Sequence, residues 1–366
     1  MKGEPLTISR IGSVVVVALA VFTSCSPEPI VFENRCHFIA ITDFAPFTRT
    51  AGETDAQVVL TSPELAAPFD WDELVVSWNA VTPAGTGLKV EARGLYPDRA
   101  TRFFTLGYWS EDPARLPRES VKRQKDAEGE VQTDTLVLRK PASRVQLRIR
   151  LTSRNGQVQP QLKFIGISLL ESKARLPRRE PNRLAWGKVL PVPELSQLAQ
   201  PGGQDWCSPT CVSMVLAHWA KTLGRPELDV SVPEVAKAVD DPNWPGTGNW
   251  PFNTAFAGKL PGLRAWVTRL RGVTDLEDWI AAGVPPIVSL SSDLLQGKAK
   301  DEGNGHLVVC VGFTEQGDVW VNDPWARLEK GEKVRRVYPR QNLVRAWTRS
   351  KNTVYLIDPE GMATPF

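Results

Sequence analysis

The sequence predicts an α+β chain: an all-β, jelly-roll-like sandwich, then a domain in which a helix carrying a cysteine packs on an antiparallel sheet carrying a histidine and an aspartate. Three observations predict it. Residues 36–170 hold short β-prone runs with no long amphipathic helix between them. From residue 190 onward, helix and strand patterns mix. Within this second part, Cys207 follows a Gly- and Pro-containing loop and opens a helical run.

The β-prone runs are residues 74–78, 88–92, 103–109, 135–138, 145–151 and 162–169. Val145, Leu147, Ile149 and Leu151 alternate with polar partners, as a half-buried strand requires. Thr-Pro-Ala-Gly at 82–85, Tyr-Pro-Asp at 96–98 and Asn-Gly at 155–156 supply the turns. Trp78 and Trp109 are read as core, because they sit in strand alternation; on a surface they would stack on sugar rings. Residues 172–189 form a basic, Pro-containing stretch that reads as a solvated linker. Beyond it, a helix is expected at 209–220 and another at 276–282, capped by Thr274 and Asp275 and stopped by Gly283. Strands at 307–313 and 319–322 are joined by Thr-Glu-Gln-Gly, a hairpin loop.

The 366 residues suit two domains, and 42% apolar with 23% charged residues is globular composition. A formal charge of +3, with basic residues alternating along strands, argues against nucleic acid as a partner. Lys2 and Arg10 flank a polar start, and residues 11–22 are almost wholly apolar. That run suits the core of a signal peptide and is too short to span a bilayer as a helix. Phe-Thr-Ser-Cys at 22–25 then resembles a bacterial lipobox, so residues 1–25 read as an export signal with lipid on Cys25, or as simple secretion. The remaining segments are 26–171 for the sandwich, 172–189 for the linker and 190–366 for the mixed domain. Any membrane attachment would run through that lipid alone.

Cys36, Cys207, Cys211 and Cys310 are too few for a disulfide scaffold, and no Cys or His spacing suits zinc. No cofactor or metal is therefore expected, and a Cys211–Cys310 pairing is left open. Cys207 lies where loop becomes helix, so free N–H groups and the helix dipole favour its thiolate. A thiolate nucleophile needs a base, and the chain has three histidines. His37 belongs to the other domain. His218 is eleven residues along the same helix, roughly 16 Å away. His306 remains, at a strand start after Gly-Asn-Gly. Asp323 ends the paired strand seventeen residues on, where a carboxylate would accept from Nδ1–H and orient the ring.

Gln197 and Trp-Cys-Ser-Pro-Thr at 206–210, then Gly-His-Leu-Val-Val-Cys-Val-Gly-Phe at 305–313, then Val-Asn-Asp-Pro at 321–324, together resemble papain-like cysteine peptidases. The chain is most similar to secreted relatives of the bacteriocin-leader (double-glycine) peptidases, family thirty-nine of the cysteine peptidases. The likeness covers about 190–359 and includes Gly-Asn-Trp-Pro-Phe-Asn-Thr-Ala at 248–255. It implies a papain-like fold and a peptidase working through Cys207, His306 and Asp323. It implies that Gln197, or alternatively Gln204, completes the oxyanion hole, and that Trp206, Asn249, Trp250 and Phe252 line the substrate cleft. Trp325, by the same likeness, either shields the His partner or is a packed aromatic. Trp-Asn-Ala-Val-Thr-Pro-Ala-Gly at 78–85 likens the sandwich to carbohydrate-binding modules, which makes a cell-surface glycan a candidate partner beside a peptide substrate. No transporter segment accompanies the domain in this sequence, so cleavage after a double glycine is not implied. Two rivals stand: an acyltransferase using the same three side chains, and a surface binding protein with a non-catalytic second half.

Overall fold

The computed structural model describes Met1 and residues 33–365, apart from Asp55, Pro245 and Asn304. Cys25 and the apolar run before it lie outside the described residues. No helix among those described is long and apolar enough to cross a membrane.

The first half is strands throughout: β1 (Glu33–Ile41), β2 (Thr48–Ala51), β3 (Gln57–Thr61), β4 (Leu65–Val81), β5 (Thr86–Leu95), β6 (Phe104–Trp109), β7 (Gly129–Gln132), β8 (Thr135–Ser153) and β9 (Gln161–Leu176). They join in one sheet of order β1-β9-β4-β8-β3-β2, with β5 and β7 also paired to β8 and β6 to β5. The long strands β4 and β8 change partners along their length. Residues 135–138 of β8 pair with β7 and, in part, β4, whereas 144–153 pair with β5. Val145, Leu147, Ile149 and Leu151 point inward while Gln146, Arg148 and Arg150 stay half-exposed, so the period-2 pattern places one face in the core. Trp78 and Trp109 are fully buried, which removes both from any sugar-stacking surface.

The second half contains α1 (Cys207–Leu223), α2 (Val232–Val239), α3 (Trp250–Lys259), β10 (Leu263–Arg269), α4 (Val273–Ala281), β11 (Ile287–Ser291), α5 (Ser292–Leu295), β12 (Gly305–Phe313), β13 (Val319–Asn322), β14 (Arg335–Tyr338), α6 (Arg340–Trp347) and β15 (Thr353–Pro359). Its six strands form an antiparallel sheet of order β10-β15-β11-β12-β13-β14. Helix α1 ends at Gly224 in the left-handed region, φ +66°. Helix α4 starts earlier than the Thr274–Asp275 cap predicts, after Gly272. Asp275 has another duty: its carboxylate accepts from Arg271 N (2.7 Å) and pairs with Arg179.

The halves pack as one compact unit. Edge strand β10 has N–H groups that no strand covers, and side chains of β4 and β9 take them. Ala265 N donates to Asn79 Oδ1 (3.0 Å), Val267 N to Ser77 Oγ (3.2 Å) and Arg269 N to Ser168 Oγ (3.0 Å). Asn79 Nδ2 returns a bond to Ala265 O at 2.7 Å. Alternate residues of an edge are thereby satisfied by side chains in place of a further strand. Phe252 of α3 sits between Trp78 and Trp109, with ring centroids 6.2 and 5.5 Å away. The stretch read as a linker lies along this junction. Strand β9 runs to Leu176, Arg179 N donates to Glu33 Oε1 (2.8 Å), and Asn182 N donates to Glu277 Oε2 (2.8 Å).

Candidate active site

Cys207 is the first residue of α1 and is partly exposed. The loop before it is compressed: a Cβ on Gly203 would lie 1.9 Å from Gln197 O, and Gly202 holds φ +80°. No side chain caps the helix, Pro209 has no N–H, and Thr210 N is the first to close on Trp206 O. The N–H groups of Cys207 and Ser208 therefore lack an intrahelical acceptor. Ser208 Oγ meets Tyr355 OH at 3.0 Å, which pins the helix start to β15.

His306 is the second residue of β12, opposite Leu290 of β11. Its Nε2 lies 2.8 Å from Asp323 Oδ1, and Cys207 lies near enough to favour the charged form of the ring. The expected nitrogen was the wrong one. Nε2 serves Asp323, which leaves Nδ1 as the nitrogen free to serve Cys207. Asp323 follows β13 directly, and its Oδ1 also accepts from Trp325 N (3.0 Å) while Oδ2 accepts from Tyr338 OH (2.9 Å). Burial alone would lower the His306 pKa, but the charge of Asp323, their hydrogen bond and the interaction with Cys207 outweigh it and raise it to about 10. Burial would raise that of Asp323, but His306, Trp325 N–H and the Tyr338 hydroxyl bring it down to about 2. The pair thus favours imidazolium facing carboxylate.

The other described cysteines are free thiols of a different kind, so Cys211 and Cys310 are not paired. Cys211 is buried, with Sγ 3.4 Å from Leu307 O; burial, then Cys207 and Asp323, push its pKa well up. Burial first of all pushes Cys310 and Cys36 each to about 12. Among the described residues, no three His, Cys, Asp or Glu side chains converge to hold a metal.

Cys207 and His306 open on a cleft of about 1060 Å³. Gln197 lines it, yet both hydrogens of its amide are committed, Nε2 donating to Gly203 O (2.9 Å) and Gln204 O (2.8 Å). Gln204 lines the cleft with an exposed side chain. Of the four cleft residues expected from the resemblance, Trp250 is on the wall. Asn249 instead caps α3, accepting from Phe252 N (3.3 Å) and donating to buried Asp241 (3.0 Å). Phe252 is fully buried in the seam between the halves, and Trp206 is the half-buried residue that precedes α1. Apolar and amide residues near a nucleophile are as often supports as walls, and these three are supports. Trp325 is on the wall, 36% exposed.

Family models match the chain in two places: residues 30–169 match the peptidase C39 N-terminal domain, and residues 189–355 match the peptidase C39-like family. Residues 189–355 belong to the C39-like peptidase family, behind a C39-type N-terminal domain. It is also similar to a solved structure described as a C39-like peptidase from Bacillus anthracis, with 18% identity and a TM-score of 0.37, over 47% of this chain and 98% of that one. No curated protein matches it.

In this C39-like peptidase chain, sequence reading missed Tyr338, which grips the far oxygen of Asp323 from β14, and the turn between β7 and β8. Gln132, Thr133, Asp134 and Thr135 of that turn line the cleft from the first half, and Asp134 Oδ2 accepts from Trp250 N at 3.0 Å. A Thr-Asp pair in a β-hairpin turn carries no signal of that use, since the partner lies 116 residues away.

Proposed function

We propose that the chain is an exported cysteine peptidase, or a related amide hydrolase, that works through a thioester on Cys207. The observation that supports this most is one imidazole, His306, bonded to Asp323 and sharing its cleft with Cys207, whose charge favours the imidazolium. The Cys207 sulfur attacks an amide carbonyl carbon, and the negative oxygen that forms is met by N–H groups at the start of α1. Gln204 is the better-placed side-chain donor, because the Gln197 amide is already engaged. As the C–N bond breaks, His306 gives its proton to the leaving nitrogen. Water then attacks the thioester, loses a proton to His306, and frees acid and thiolate. Asp323, itself held by Tyr338, keeps the ring oriented throughout.

A papain-like arrangement behind a jelly-roll-like sandwich is part of the same proposal; the partner-switching strands β4 and β8 support the sandwich. The substrate class is a peptide or peptide-like amide in the cell envelope. Export, with lipid on Cys25, rests on the basic start, the apolar run 11–22 and the lipobox-like residues. Loss of palmitate labelling in Cys25→Ala tests it; equal labelling sinks it.

The catalytic reading is tested by the pH dependence of iodoacetamide modification in wild type, Cys207→Ala and His306→Ala. Rapid modification well below the free-thiol pKa of about 8.5, lost in both variants, is expected. Slow modification with an ordinary thiol profile, unchanged in His306→Ala, rejects it and returns the chain to the binding-protein class.

A further inference from the structure

The cleft continues past the catalytic pair to the junction of the two halves, where it meets Glu73 of β4, Arg269 at the end of β10, and Lys351 just before β15. Glu73 and Arg269 are almost fully buried. Arg269 Nη2 pairs with Glu73 Oε2 at 3.1 Å, and Lys351 Nζ pairs with the other Glu73 oxygen. Both carboxylate oxygens are thereby taken. Arg269 Nε and Nη1 nevertheless have no hydrogen-bond partner. The neighbouring carboxylate, Asp134, is also occupied, by Trp250 N–H on one oxygen and the Thr135 hydroxyl on the other. Buried guanidinium donors are costly to leave unmatched, so the cluster holds more donors than acceptors.

The accessible charge there is positive. The Lys351 side chain is 46% exposed, whereas that of Glu73 is 4% exposed and that of Arg269 is 3%. Lys351 and Asn352 are consecutive non-glycine residues at φ +56° and +60°, a backbone form that costs energy and is kept where the surroundings demand it. Lys351 is the left-handed cap of the short helical turn at Thr348–Ser350, and from there its ammonium pairs with Glu73.

We propose that this cluster is a carboxylate-binding subsite of the peptidase cleft, with the exposed Lys351 ammonium as its donor, the buried Arg269 charge behind it, and residues 132–135 of the first half lining the same cleft. The inference rests on the reading of the cleft as a peptide site and names a chemical preference within it. Its place follows from register. Arg269 is opposite Thr353, Val354 is opposite Val288, and Leu290 is opposite His306. From β10 through β15 and β11 to β12 is three strand spacings, roughly 14 Å. At ~3.4 Å per residue, that is about four residues of extended peptide. The carboxylate is therefore a C-terminus or an acidic side chain about four residues from the scissile bond.

The test uses the full chain with Cys207→Ser, so that binding is measured without turnover. Calorimetric titration compares acetyl-tetra-alanine with a free C-terminal carboxylate, the same peptide as its C-terminal amide, and acetyl-Ala-Ala-Ala-Glu amide. At least one carboxylate peptide is expected to bind tenfold or more tightly than the neutral amide. A preference for the first identifies a C-terminal carboxylate, and one for the third an acidic side chain. Lys351→Met should erase the preference and Lys351→Arg should keep it, with unchanged circular dichroism in both. Equal binding of all three, no detectable binding, or a preference surviving in folded Lys351→Met overturns the subsite. Failure of the catalytic reading looks different: slow, His306-independent alkylation of Cys207 with the carboxylate preference intact.

Discussion

Replacing Asn79 by alanine probes how the first half holds the cleft together. Asn79 is buried, and its amide makes two bonds to the backbone of Ala265, one to the oxygen at 2.7 Å and one from the N–H at 3.0 Å. Alanine removes both partners and leaves a donor and an acceptor of edge strand β10 inside the seam. Each unmatched group costs roughly 1–3 kcal/mol, so the sum is about 2–6 kcal/mol. The vacated space is polar on both sides and can admit water, which brings the expected loss to about 3 kcal/mol. Against a total of about 5–15 kcal/mol for a folded domain, that is large. Asn79→Asp keeps the shape and the acceptor for Ala265 N–H but sets an oxygen against Ala265 O. It should destabilise at pH 8 and recover in part at pH 4, where the protonated acid again donates. Urea unfolding followed by tryptophan fluorescence gives both numbers, with wild type at each pH as reference. A change within about 0.5 kcal/mol for Asn79→Ala, or an Asp variant equally weak at both pH values, would refute the account of the seam.

Asp323→Asn should slow alkylation of Cys207 at pH 6 at least tenfold, since burial then leaves His306 neutral; an unchanged pH profile refutes the pairing. The same variant should reshape stability against pH. Stabilisation from His306, raised to about 10, is complete below 6.5 and fades as pH rises to 10; that from Asp323, lowered to about 2, is complete above 3.8 and fades as pH falls to 2. The melting-temperature gap between wild type and variant should therefore be widest between about pH 4 and 6.5. Tyr338→Phe should cost about 1 kcal/mol of stability and slow alkylation less than Asp323→Asn does; equal effects would make Tyr338 more than a support. Cys211→Ala should leave fast labelling intact when mapped by mass spectrometry, whereas loss of label there would name Cys211 as the reactive thiol.

Cys207, His306 and Asp323 were legible as a set because each depends on local features. A loop-to-helix transition, the shortage of histidines and a hairpin that returns a strand end to its start can all be read along the chain. Which ring nitrogen faces which partner was not legible, since it depends on how the ring rotates into a space built by three elements. Tyr338 was missed although it lies fifteen residues beyond Asp323, because a tyrosine on an edge strand carries no mark of where its hydroxyl ends. Phe252 and Asn249 were misjudged for the converse reason. Closeness to the Trp250 segment suggested a cleft wall, but packing against Trp78, Trp109 and Asp241 turned both away from it.

Periodicity along the chain was enough for the β-rich first half, for helices α1 and α4 and for the β12–β13 hairpin that brings His306 to Asp323, because those follow from neighbours within a few residues or one hairpin. The role of the first half was not readable in that way. Its β7–β8 turn, Glu73 and the Asn79 seam reach the peptidase half across more than a hundred residues of sequence. Contacts at that separation leave no periodic trace; they exist because edge strand β10 must have its backbone groups satisfied, and β4 and β9 supply the side chains that satisfy them.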